Sequence, residues 1–307
     1  MAFEMTCPIC GDRSGWTITY RHDPRVDRWR AEIGDTASYR WRLCAHCGNG
    51  HPSSSPDLRI LQRLWDVNRT TDTGDGRSAE TIWAFRRAIA KRGADRSYHL
   101  FAPLAARPKG RFLDIACGLG QTVRTFADHG WDAEGIDADP NTQRFHRELG
   151  IKSRIGQFET LETNGNYDII HIAHGIYFIS DPMGFLRGVR KRLAPGGLLC
   201  IVLADFMAHA DAGLPAYELT FFPTRSSMQF ALALAGFETV FCRRMSGSIF
   251  IAARPAENVP PPRVWPRGIL LLYRTKMLRH VLIGRPYIYM RQTAKTFVDL
   301  ATSSLGR

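Results

Sequence analysis

Two groups of residues in this chain have the types and spacing to do chemistry. The first is a set of four cysteines, arranged as Cys7-Pro8-Ile9-Cys10-Gly11 and Cys44-Ala45-His46-Cys47-Gly48 with 33 residues between the pairs. Two Cys-x-x-Cys turns, each followed by glycine, let four thiolates meet one tetrahedral ion, so Cys7, Cys10, Cys44 and Cys47 read as a zinc site. Four sulfurs close the coordination sphere and leave no position for a substrate, which makes the site structural. His22, His46 and His51 are spare ligands nearby. The second group is the run Arg111-Phe112-Leu113-Asp114-Ile115-Ala116-Cys117-Gly118-Leu119-Gly120, an apolar stretch that ends in an acid and a Gly-x-Gly turn.

Such a run reads as a strand, a tight turn and the start of a helix over Gln121-Thr122-Val123-Arg124-Thr125-Phe126. Glycine lets a ligand lie against the backbone of the turn. A dinucleotide fingerprint needs a third glycine where this chain has Val123. The chain instead offers Asp114 before the turn and Asp137, 17 residues past Gly120, at the end of the strand-like Ala133-Glu134-Gly135-Ile136-Asp137. A carboxylate there is placed to grip the two hydroxyls of a ribose. The pair points to a nucleoside without a pyrophosphate.

The segment Leu113 to Gly120 resembles the first motif of the class I S-adenosylmethionine-dependent methyltransferases, with Ala116 where that family often has glycine. Tyr167-Asp168-Ile169-Ile170 resembles the family's fourth strand, Asp181-Pro182 with Phe185-Leu186 the next helix, and Leu193-Ala194-Pro195-Gly196-Gly197-Leu198-Leu199 the turn into strand five. The resemblance covers roughly residues 95 to 254 and implies an α/β fold with a Rossmann-like methyltransferase sheet. It implies S-adenosylmethionine held against Asp114, Ala116, Cys117, Gly118, Gly120, Asp137, Ala138, Gln157, Phe158 and His174. Gln157 stands where many relatives have an acid, and its amide can bond an adenine edge. Many relatives carry Glu-His where this chain has Tyr177-Phe178, so His174 and Tyr177 become the candidate catalytic groups in the loop after strand four. His171, inside that strand, reads as a satisfied core histidine.

The remaining elements must position these groups. Residues 16–20 and 39–43 read as strands that bring the cysteine pairs together, and His51 to Pro56 as a linker. Residues 58–65 and 82–89 have helical spacing, the second run ending at Gly93, with a mobile polar stretch over 70–76 between them. A further helix is expected over 98–106, strand three over 153–158 and strand five over 198–204. Asp205, His209, Asp211 and Tyr217 follow in an irregular acceptor-side stretch, and Thr224 reads as an N-cap. A closing strand pair is expected around a turn at Ser246-Gly247. The division expected is a zinc ribbon over 1–52, a helical linker or lid over 53–94, the methyltransferase domain over 95–254 and a basic C-terminal extension over 255–307.

A hydrophobic fraction of 44% and a charged fraction of 23% exclude global disorder. No apolar run approaches the ~20 residues that span a bilayer, which makes a cytoplasmic location the expectation. Net charge +12 suits an anionic substrate, an acidic membrane surface or nucleic acid, and the basic stretch from Ile269 to Met290 is an expected peripheral membrane or partner contact. The leading reading is methyl transfer to a small molecule or glycan, meaning a sugar, nucleotide sugar or polysaccharide unit. An N-terminal zinc ribbon before a methyltransferase domain resembles a bacterial subset that includes sugar C-methyltransferases. Zinc modules also accompany RNA methyltransferases, so a nucleic-acid acceptor stays open, although the chain has no Asn/Asp-Pro-Pro-Tyr-like tetrapeptide and no paired catalytic cysteines. A non-catalytic zinc-dependent adaptor is the third reading.

Overall fold

The computed structural model describes residues 6–22, 38–54, 79–158, 166–209 and 219–284. The helix expected over 58–65, the stretch 70–76, Asp211, Tyr217 and everything past 284 lie outside the described residues. A three-stranded antiparallel sheet is built from β1 (Gly15–His22), β2 (Ser38–Cys44) and β3 (Gly50–Pro52). Helix α1 (Ala79–Phe101) leads to a seven-stranded sheet of order β6-β5-β4-β7-β8-β10-β9. Its strands are β4 (Arg111–Ile115), β5 (Asp132–Asp137), β6 (Lys152–Ile155), β7 (Tyr167–Ala173), β8 (Leu193–Ala204), β9 (Phe237–Met245) and β10 (Ser248–Pro255). The first five run parallel, and β10 and β9 close the sheet antiparallel. Between them lie α2 (Gln121–Asp128), α3 (Gln143–Leu149), α4 (Pro182–Arg192), the short α5 (Phe206–His209), α6 (Arg225–Leu234) and, after β10, α7 (Pro266–Arg279).

The pattern of burial follows from strand position. Central β7 is covered on both faces and is buried from Tyr167 to Ile172, whereas edge strand β6 stays mostly exposed. Phe112 stacks on Phe126 at 3.7 Å, and Trp131 meets Phe126 edge-on, so α2 is pinned to one face of the sheet by aromatic contacts. Where the sequence suggested a helix ending at Gly93 and another over 98–106, one helix runs through Gly93 to Phe101. Glycine in a helix costs about 1 kcal/mol relative to alanine. Burial of Ala94, Ser97 and Phe101 at helical spacing, with Tyr98 stacked on His129 at 3.8 Å, outweighs that cost. Strand five begins at Leu193, earlier than expected, because the Pro195-Gly196-Gly197 turn is absorbed as an irregularity in its pairing with β7.

The small sheet is tied to the segment just ahead of α6. Gly50–Pro52 form β3, whose last two residues were expected to open a turn and linker, and Gly50 exchanges backbone hydrogen bonds with Phe222: Phe222 N donates to Gly50 O at 2.7 Å and Gly50 N to Phe222 O at 3.2 Å. A side chain on Gly50 would meet Phe222 O at 2.9 Å and the Phe206 ring at 3.0 Å, so only glycine permits this approach. Trp41 and Leu43 are fully buried in the same apolar cluster as Phe206, Phe222, Leu270 and Tyr273.

Thr224 caps α6 as its spacing suggested. Its hydroxyl accepts from Ser227 N while Ser227 Oγ accepts from Thr224 N, a capping box, and Thr224 Oγ1 also reaches Gly48 O at 3.4 Å. Thr224→Ala is expected to cost about 1 kcal/mol or more, read as a lower urea midpoint with an unchanged slope.

Candidate functional site

The parallel strands β6, β5, β4 and β7 present their carboxyl ends side by side, the position at which open α/β sheets bind ligands. Four residues named from the sequence follow those ends in order across the sheet and are exposed: Gln157 after β6, Ala138 after β5, Ala116 after β4 and His174 after β7. Ala116 and His174 both have φ of +54°, a left-handed conformation that costs a non-glycine residue energy. The two loops touch, since a Cβ built on Gly175 would lie 2.7 Å from Ala116 Cβ. Glycine at 175 therefore keeps the His174 loop against the glycine turn.

The glycine turn is held from both sides. Gly118 and Gly120 have φ of +55° and +75°, and a Cβ added at Gly118 would meet nothing within 4 Å, so the turn leaves open space above its backbone. Asp137, at the end of β5, accepts Gly118 N at 2.7 Å through one oxygen and Asp139 N at 2.9 Å through the other. On the opposite side, Nε2 of His146 in α3 donates to Gly118 O at 2.8 Å and lies 3.7 Å from Cys117 Sγ. His146 is 1% exposed, and its Nδ1 is buried with no hydrogen-bond partner among the described residues. Sequence reasoning missed His146, because nothing in its local spacing marks it and its partner is 28 residues away.

Asp114 and Phe158 do not join the exposed row. Asp114 is buried at the end of β4 and accepts from His171 Nδ1 at 2.7 Å, while the Ser97 hydroxyl of α1 donates to His171 Nε2 at 3.2 Å. His171 is thus a satisfied core histidine, and it ties α1, β4 and β7 together. Phe158 turns into the core, edge-on to Phe185 at 5.1 Å with the Arg192 guanidinium 4.6 Å from its ring centre. Cys117 is buried, and burial pushes its thiol well above the ordinary range.

In the loop after β7, His174 Nδ1 lies 2.9 Å from Tyr177 Oη, so the two candidate catalytic side chains are one hydrogen-bonded pair. Tyr177 is buried, and that burial raises its phenol above the usual value, a backbone hydrogen bond at Ala204 offsetting only part of the effect. Thr220 braces this loop: its backbone N and hydroxyl both donate to Tyr177 O, and the hydroxyl also donates to Ile179 O at 2.7 Å. Asp205, beyond β8, is taken by Arg244 Nε at 2.7 Å and Met207 N at 3.0 Å.

The four N-terminal cysteines form the knuckles their spacing demanded. Gly11 N donates to Cys7 O and Gly48 N to Cys44 O, with φ of +74° and +69° at the two glycines. The four Sγ atoms lie within 4.8 Å of one another, with Cys7–Cys47 at 3.6 Å and Cys10–Cys44 at 3.5 Å. Zinc–sulfur bonds of about 2.3 Å at tetrahedral angles require sulfur separations of about 3.8 Å, so the residues fit a zinc ribbon. A dication at the centre of the four sulfurs would take all of them as thiolates. Backbone N of His46 points at Cys44 Sγ at 3.4 Å and Asn49 Nδ2 at Cys7 Sγ at 3.8 Å, donors that offset thiolate charge. Two of the spare histidines are used elsewhere: His46 packs edge-on to Phe230, and His51 is buried against Pro52 O. Protein purified without chelators is expected to hold one zinc per chain by elemental analysis; metal-free, folded protein would remove zinc from the ribbon.

Comparison with known proteins places the chain in context. Over 125 residues it is 34% identical to a ubiquinone biosynthesis O-methyltransferase of Parvibaculum lavamentivorans, 37% of this chain and 49% of that protein. Over 96 residues it is 34% identical to the protein of the same name from Cereibacter sphaeroides, 29% of this chain and 39% of that one. The chain thus spans half or less of the length of the curated relatives it matches. Among solved structures, the CcbJ methyltransferase from Streptomyces caelestis superposes with a TM-score of 0.45 at 17% identity, over 54% of this chain and 89% of that one. Residues 83–240, from within α1 to within β9, match the family described as the methyltransferase domain, and the chain belongs to that family.

Proposed function

We propose that this chain transfers a methyl group from S-adenosylmethionine to a hydroxyl of a small-molecule or glycan acceptor, such as a sugar, nucleotide sugar or polysaccharide unit. The observation that carries the reading is the His174–Tyr177 pair, set on a loop that touches the glycine turn. The cofactor fits the residues present: the turn at Gly118 is open, and Asp137, Ala138 and Gln157 line the adjacent strand ends where a ribose and an adenine edge would be held. When bound, S-adenosylmethionine supplies an electrophilic methyl group on a sulfonium sulfur.

The residues of the chain supply alignment and proton transfer. A hydroxyl becomes a competent nucleophile when a base within hydrogen-bond reach takes its proton. His174 serves that role at Nε2 when Nδ1 carries the hydrogen and donates it to Tyr177 Oη. Burial keeps the Tyr177 phenol protonated, so it orients the imidazole without competing as a base. Thr220 fixes the carbonyls of Tyr177 and Ile179, which limits drift of the Tyr177 end of the pair. The names of the two matched relatives, both O-methyltransferases, support oxygen as the atom methylated.

Two experiments test this reading. His174→Ala is expected to lower kcat about a hundredfold with little change in cofactor affinity. Transfer of labelled methyl to a panel of hydroxyl acceptors reads the rate, and full activity in His174→Ala would remove the base assignment. Asp137→Ala is expected to weaken S-adenosylmethionine binding by more than about tenfold in calorimetry; unchanged affinity in a variant of normal melting temperature would take Asp137 out of the site.

A further inference from the structure

We propose that the exposed face of α7, with the turn that follows it, is a docking surface for an anionic phospholipid membrane. One side of α7 is fixed to the body of the protein. Leu270 and Tyr273 are buried, Tyr273 stacks on Phe206 at 5.7 Å, and Lys276 Nζ donates to Met207 O at 2.6 Å and Ala208 O at 2.9 Å. A helix anchored in this way has no need of apolar residues on its far side. Yet Leu271, Leu272 and Leu278 are 62%, 63% and 60% exposed, Leu282 and Ile283 in the following turn are equally bare, and Trp265 at the head of the helix is 72% exposed.

The charges around this face select the occupant. Leu271 and Leu278 are seven residues apart and share one stripe, while Arg267 and Arg274, also seven apart and exposed, run beside it, and exposed Arg279 follows. From residue 258 to residue 298 the sequence holds eight lysines and arginines and no acidic residue. A second copy of the chain would bring these arginines against their own kind, and like charges across an interface oppose association. An anionic bilayer offers what the face lacks, phosphate for the arginines and acyl chain for the leucines, with the tryptophan at the level of the headgroups. Among the described residues no helix is long and apolar enough to cross a membrane, so the contact is peripheral. Because α5 starts directly after the carboxyl end of β8 and is gripped by Lys276, docking would set the acceptor end of the sheet beside the lipid surface.

The test uses the full chain and vesicles of phosphatidylcholine alone or mixed with phosphatidylglycerol. Cosedimentation is expected to be at least about tenfold stronger with the anionic vesicles and to fall with added salt. Two variants, Leu271→Ser/Leu278→Ser/Leu282→Ser and Arg267→Glu/Arg274→Glu/Arg279→Glu, should each reduce binding by about tenfold or more at unchanged melting temperature, since every side chain changed is exposed. Absence of binding, equal binding to neutral vesicles, or binding that both variants retain would overturn the proposal. So would a dimer in sedimentation velocity that the serine variant dissociates while vesicles bind nothing, which would give the face to a second copy.

Discussion

The hydrogen bond from Gly118 N to the Asp137 carboxylate joins the glycine turn of β4 to the end of β5, and the geometry of the site depends on it. A left-handed turn of two glycines has little intrinsic preference for one shape, so its form must come from outside. Asp137 holds its amide side and His146 its carbonyl side, and both are almost fully buried. A buried carboxylate that accepts two backbone N–H groups is satisfied and rigid. The turn is thereby preorganised, with open space at Gly118.

The same economy of contacts reaches the loop after β7. Thr220 secures the Tyr177 carbonyl, Phe222 two residues on pairs with Gly50, and Thr224 two residues further reaches Gly48 while capping α6. A single strand-like segment thus links the cysteine ribbon to the loop that carries His174 and Tyr177. The apolar cluster is continuous across that seam, from Cys47, Trp41 and Leu43 through Phe222 to Tyr177 and the sheet, so the ribbon is part of the core.

Legibility in the sequence divides along local and non-local lines. The Leu113 to Gly120 motif, the paired cysteines, the Thr224 cap and the buried role of His171 were readable because their signals lie within a few residues of each other. His146 was invisible: its work depends on α3 folding across the turn, and a histidine on a helix carries no local mark of that. Strand β3 was hidden because His51 and Pro52 read as the start of a turn and linker until Phe222, far along the chain, provides Gly50 with a partner. At Gly93 the residue preference pointed to a stop, but burial of Ala94, Ser97 and Phe101 prevailed. Phe158 looked able to face a cofactor ring, yet Phe185 and Arg192 draw it into the core, a competition that only packing decides.

The contact between Thr224 and Gly48 closes a loop of 176 residues. Such a closure forms late in folding, because its entropy is lost before any neighbouring contact rewards it. During synthesis the cysteine knuckles emerge first, while the surface that will cover Trp41, Leu43 and Gly48 has yet to be made. Ile269 of α7, 2.5 Å from where a side chain on Gly48 would sit, arrives later still. The ribbon must therefore persist through most of translation with its apolar side bare, held by its own turns and whatever ion its sulfurs capture. The four-cysteine cluster is then a matter of surviving birth as much as of shaping the finished fold.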